Sequence, residues 1–144
     1  MIKSRPGLLL VMLLFTACTK TPDETLIRQS LDQMVASVEQ RLPKKVVEHL
    51  TDDFLAQDQM GVEEVRRFMI AQFFRNQQIH IVVTGVKIEI QGSRALVQFR
   101  AAVSGGTNWL PERLEYYELT TQWQKTGGDW KMQNAIWKPV LAAG

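Results

Sequence analysis

From Ile79 to Ile90 apolar residues recur at every second position, and the recurrence changes phase once. Ile79, Ile81 and Val83 interleave with His80, Val82 and Thr84. Beyond Gly85 the apolar phase passes to Val86, Ile88 and Ile90. A period of two places alternate side chains on opposite faces of a strand. A slip by one at a glycine is the mark of a β-bulge, which bends the strand that carries it. Gln91-Gly92-Ser93 reads as a tight turn, after which Ala95, Val97, Phe99, Ala101 and Val103 resume the alternation. Ser104 to Pro111 reads as a longer loop. Leu114–Lys125 and Trp130–Lys138 read as a hairpin across Thr126-Gly127-Gly128-Asp129. All four tryptophans and both tyrosines lie between Trp109 and Trp137, where they supply cross-strand contact area.

The chain before these strands has a different period. No glycine occurs from Cys18 to Met60, and Leu26, Ile27, Leu31, Met34, Val35, Val38 and Leu42 fall on one helical stripe. Thr21-Pro22-Asp23-Glu24 has the form of a capping box with proline at the first helical position, and Pro43 should end the helix. A short helix is expected over about Lys44–Leu50, a turn at Thr51-Asp52-Asp53 and a brief extended piece at Phe54-Leu55. A third helix follows from near Gly61 to about Asn76, with Val62, Val65, Phe68, Met69 and Phe73 on its apolar side. Helices first and strands second make an α+β chain. The expected architecture is three N-terminal helices packed on a curved, bulged antiparallel sheet of four long strands, a cone with an internal pocket.

The first residues belong to neither pattern. Lys3 and Arg5 precede an unbroken apolar run, Leu8 to Phe15, with no acidic residue. The run is too short to cross a bilayer as a helix, which needs ~20 residues, and has the three-part form of a secretory signal. Leu14-Phe15-Thr16-Ala17-Cys18 resembles the lipobox of bacterial lipoproteins, although Phe15 departs from the usual leucine. The resemblance implies cleavage before Cys18, diacylation of its thiol, and acylation of the new amino group. More than one acyl chain gives stable anchoring. Thr19, rather than aspartate, implies the outer membrane facing the periplasm in a Gram-negative source. The division is then 1–17 signal peptide, 18–22 lipidated cysteine and short tether, 23–139 folded domain, and 140–144 tail.

Composition narrows the function. Lys+Arg number 17 and Asp+Glu 15; residues 1–17 carry two of the bases and none of the acids, leaving 15 of each. No basic excess remains to serve a phosphate backbone, which argues against nucleic acid as a partner. A single cysteine excludes an internal disulfide, and with two histidines it is too little for a His/Cys metal cage. No glycine-rich phosphate loop or nucleophile elbow is present. No cofactor is expected.

Element order, the Asp52-Asp53-Phe54 turn, the Gly61-Val62-Glu63-Glu64-Val65 helix start and Gly128-Asp129-Trp130-Lys131-Met132 together resemble the nuclear transport factor 2-like superfamily, also called cystatin-like in fold. The resemblance spans about Asp23 to Trp137. It implies the cone, and little about activity, because the superfamily holds isomerases, dehydratases, cyclases, carriers and scaffolds. Its isomerase branch, typified by ketosteroid isomerase, places a catalytic aspartate shortly after the Asp-Asp turn, and Asp58 stands at that spacing. The tyrosine partner of that branch is absent from helix one. The bland alternative is that Asp58 faces water or precedes helix three.

Other polar residues are candidates for lining the pocket: His80, Arg100, Tyr116, Tyr117 and Glu118. Tyr116 and Tyr117 must point to opposite faces, so one of them lines the interior. Arg100 and Glu118 could pair on adjacent strands. His49, near the end of the short helix, reads as structural. Trp123 and Trp137 are expected on the outer face of the sheet, as the contact surface of a homodimer or an envelope partner. The resulting expectation is a membrane-anchored, non-catalytic lipoprotein that binds a small apolar ligand or another protein. The alternative is an isomerase- or dehydratase-like enzyme with Asp58 as general base.

Overall fold

The computed structural model describes residues 21–106 and 113–140; the signal segment, Cys18 and part of the loop expected at 104–111 lie outside the described residues. Two helices come first, α1 (Asp23–Glu39) and α2 (Pro43–Val47). Strand β1 (Leu50–Ala56) separates them from α3 (Val62–Arg75). Four long strands follow: β2 (Gln78–Gln91), β3 (Arg94–Gly106), β4 (Arg113–Thr126) and β5 (Asp129–Pro139). They form one sheet in the order β1-β5-β4-β3-β2, antiparallel except where β1 runs parallel to β5.

The sheet therefore has five strands and is mixed, not four and antiparallel, and the helices are not consecutive. The segment read as a turn, Thr51-Asp52-Asp53, lies in the first half of β1. Asp52 and Asp53 face water from an edge strand, a position where carboxylates are tolerated and discourage pairing with another chain. Gln133 is left over in the β4–β5 register, and its Nε2 donates to Asp53 Oδ2 at 3.0 Å. The nearby Thr51 hydroxyl and the Gln133 hydrogen bond lower the Asp53 pKa from its ordinary value.

The bulge falls where the phase slips. Pairing of β2 with β3 shifts register between Thr84 and Lys87, and Gly85 takes φ +64°, in the left-handed region that favours glycine. The β4–β5 hairpin turns on Gly127 and Gly128 at φ 58° and 90°, the pair of positive values that a tight two-residue hairpin turn requires.

The helix boundaries differ from expectation at both ends of α1. Its N-cap is Pro22, with no side-chain cap, so Thr21 does not close a capping box. Asp23 works elsewhere: its Oδ1 accepts from Lys125 Nζ at 2.9 Å and Trp130 Nε1 at 3.1 Å, tying the helix start to the β4–β5 hairpin. At the other end the helix stops before Pro43. Arg41 adopts φ 61°, Leu42 N donates to Ser37 O and Arg41 N to Val38 O, the paired bonds of a Schellman stop. Pro43 instead opens α2 at its first position.

The core lies between α1 and the inner sheet face. Ile27, Val97, Thr121 and Trp123 are its most deeply buried side chains. Thr121 Oγ1 donates to Val97 O and accepts from Trp123 Nε1, both at 2.8 Å, so the buried indole nitrogen and hydroxyl are both satisfied. Trp123, expected on the outer face, is a core residue. On β4 the odd positions face inward, and Trp123 shares that parity with Thr121 and Leu119.

Candidate functional site: an apolar cavity with a polar mouth

A cavity of about 390 Å³ opens between α1, α3 and the inner face of the sheet. It exists because α3 packs on α2 and β1, while α1 covers β2 and β5. Phe73 is the one fully buried side chain of α3, and Phe68, Met69 and Phe73 turn towards the space. Leu31, Met34, Phe99, Leu119 and Met132 form its inner wall. Arg41 fixes the far end of α3. Its guanidinium donates to Phe73 O (2.7 Å), Asn76 O (2.9 Å) and Gln77 O (2.8 Å), and lies 5.7 Å from the Phe73 ring centre. The helix-ending carbonyls thus receive a cation.

The polar groups gather at one end. Arg113, Glu115 and Tyr117 project from the inward positions of β4, Ser104 comes from the end of β3, and Gln72 and Asn76 face them from α3. Arg113 and Glu115 are exposed, which marks this end as the mouth. The Tyr117 hydroxyl donates to Glu115 Oε2. That hydrogen bond, with partial burial and the carboxylate charge behind it, pushes the Tyr117 pKa up to about 12.

Of the five residues expected to line the pocket, Tyr117 alone does so. His80 projects from the outer face at the sheet edge, its Nδ1 3.6 Å from Glu39 Oε2, and the same oxygen accepts from Ile81 N at 3.3 Å. Arg100 and Glu118 are directly opposed across β3 and β4, also on the outer face. Glu118 meets Arg100 at 3.4 Å and Lys138 at 3.5 Å, an exposed row across three strands that contributes little to stability. Tyr116 is exposed on that face with Val82, Leu114 and Ile136.

Trp137 is placed inside as well. It lines the cavity, held by Gln57, whose Nε2 donates to Trp137 O (2.8 Å) and whose Oε1 accepts from Trp137 N (3.1 Å). Asp58 follows Gln57 in an exposed turn with φ 57° and does not line the cavity. His49, half-buried in the turn before β1, has its pKa lowered by burial. Sequence reasoning missed Arg113, Glu115, Gln72 and Asn76. For the two β4 residues a partial signal existed: they share parity with Thr121 and Trp123, but the alternation alone does not say which parity faces inward. Among the described residues no group of three His, Cys, Asp or Glu side chains is placed to hold a metal ion, and no helix is long and apolar enough to cross a membrane.

No family model matches the sequence, and no curated protein matches it. Solved structures do match the fold. A protein from Novosphingobium aromaticivorans, described provisionally as a scytalone dehydratase, superposes with a TM-score of 0.75 at 11% identity, over 82% of this chain and 84% of that one. A provisionally assigned dehydratase of the nuclear transport factor 2-like family from Streptomyces avermitilis gives 0.71 at 18% identity, over 85% and 100%. A protein of unknown function with a cystatin-like fold from Nostoc punctiforme gives 0.71 at 14%, over 83% and 92%. At these identities the likeness is one of architecture, and it places the chain's fold among the nuclear transport factor 2-like, cystatin-like cones.

Proposed function

We propose that this protein is a membrane-anchored, non-catalytic carrier or sensor of a small apolar ligand in the bacterial cell envelope. The observation that supports the reading is the cavity: its volume falls within the ~300–1,000 Å³ typical of small-molecule sites, and its wall is apolar with polar groups confined to one end. The anchor rests on Cys18 and the lipobox around it. Mass spectrometry of small molecules released from the purified protein tests the ligand. A bound species is expected from the natural chain and not from an Ala101→Phe variant, in which the new ring occupies the cavity. An empty natural chain, or equal loading of the variant, overturns the reading.

Two structural neighbours described as dehydratases favour a second reading, an isomerase- or dehydratase-like enzyme. Asp58, off the cavity wall, is poorly placed to be its general base. Such chemistry would have to run through Glu115 and Tyr117. A partner surface is also proposed. Val82, Leu114, Tyr116 and Ile136 expose apolar surface on the outer face, in place of Trp123 and Trp137, and fit a face-to-face homodimer. Sedimentation of the natural chain as a dimer and of Val82→Glu as a monomer is the expected result.

A further inference from the structure

We propose that the cavity selects a ligand whose apolar body ends in an uncharged hydroxyl, received at the mouth by Glu115 and Tyr117. The inference rests on the ligand-binding reading above and deepens it. A tyrosine hydroxyl has one proton to give and two lone pairs. Tyr117 gives its proton to Glu115 Oε2, so Tyr117 Oη can only accept from a further partner. Glu115 retains Oε1, also an acceptor. Across the mouth, Asn76 gives one of its two Nδ2 protons to Gln72 O at 3.1 Å. The pair on β4 therefore offers acceptors to whatever enters, and its natural complement is a donor. Tyr117 keeps its proton at neutral pH, with ionisation pushed up to about 12, so this polarity is fixed over the physiological range.

Charge decides which donor. Arg113 stands two positions from Glu115 on the same face of β4, so the mouth carries one charge of each sign. An anionic headgroup gains from Arg113 and is repelled by Glu115; a cationic one meets the reverse. A neutral hydroxyl reaches the acceptors without either conflict, while its hydrocarbon lies against Phe99, Leu119 and Met132.

Calorimetric titration of the purified full-length protein with four ligands of equal chain length tests this: 1-decanol, decyl methyl ether, decanoate and decylamine. Decanol is expected to bind about tenfold more tightly than the ether, the worth of one hydrogen bond to a charged acceptor, and more tightly than either ion. In the double variant Glu115→Leu/Tyr117→Phe the gap between decanol and ether should close with ether binding retained. Both residues lie at the mouth, and the natural-chain series decides the question even if the variant folds poorly. Equal binding of decanol and ether, or tighter binding of either ion, overturns the hydroxyl inference and leaves the ligand-binding reading standing. Absence of binding by all four overturns both.

Discussion

Thr121 occupies a position where a single oxygen serves two buried partners, the carbonyl of Val97 and the indole of Trp123. Valine has the same shape and neither function. Thr121→Val should cost about 1–3 kcal/mol, because it leaves the buried indole N–H of Trp123 unpaired, and chemical denaturation measures the loss. Tyr117 supplies a pH signature. Its folded-state pKa of about 12 lies above the ordinary tyrosine value near 10, so the folded form holds its proton where the unfolded form loses it. The stabilising contribution is whole below about pH 10 and is lost as pH rises towards 12. Alkaline denaturation should therefore begin at lower pH in Glu115→Gln, and the ultraviolet difference titration between the natural chain and Tyr117→Phe should centre near 12. At this scale the sequence was legible in parity and silent on sign. It required Tyr116 and Tyr117 to face apart, and the aromatic size of Trp123 suggested an exposed contact, but only the Thr121–Trp123 bond and its neighbours reveal which parity is inside.

The joint between α1 and α2 shows an element boundary set by a side chain's distant work. Left-handed backbone at Arg41 costs a non-glycine residue roughly 1 kcal/mol or more, and glycine is the usual occupant of such a helix stop. Arginine recovers the cost through three bonds to the end of α3. Arg41→Gly should accordingly destabilise the protein by about 1–3 kcal/mol although it relieves the backbone, and amide exchange should quicken at the C-terminal end of α3. The bulge at Gly85, the Gly127-Gly128 hairpin and α3 itself were readable because local chemistry determines them. Strand β1 was not. Its Asp52-Asp53 pair has the composition of a turn, and only pairing with β5, far along the chain, makes it a strand.

For the whole molecule, the sequence carried the cone and its pocket, because helices of one apolar stripe must cover a bent sheet. Of the polar end of the pocket it carried Tyr117 alone, because Arg113, Glu115, Gln72 and Asn76 come together only in the folded chain. The proposed membrane attachment belongs to this scale too. Cys18→Ser should abolish palmitate labelling and move the protein from the detergent phase to the aqueous phase. Unchanged labelling and partitioning would remove the anchor from the account.

The clasp of Asp23 on Lys125 and Trp130 sets a direction as well as a contact. It brings the beginning of the domain to the hairpin tip, whereas Arg113 and Glu115 sit at the other end of β4, roughly 40 Å of strand away. A chain moored through Cys18 would stand on that hairpin with its opening turned from the lipid. Cargo would then be exchanged with the aqueous compartment, and the bilayer would serve as a floor to stand on, not as the store from which the cone is filled.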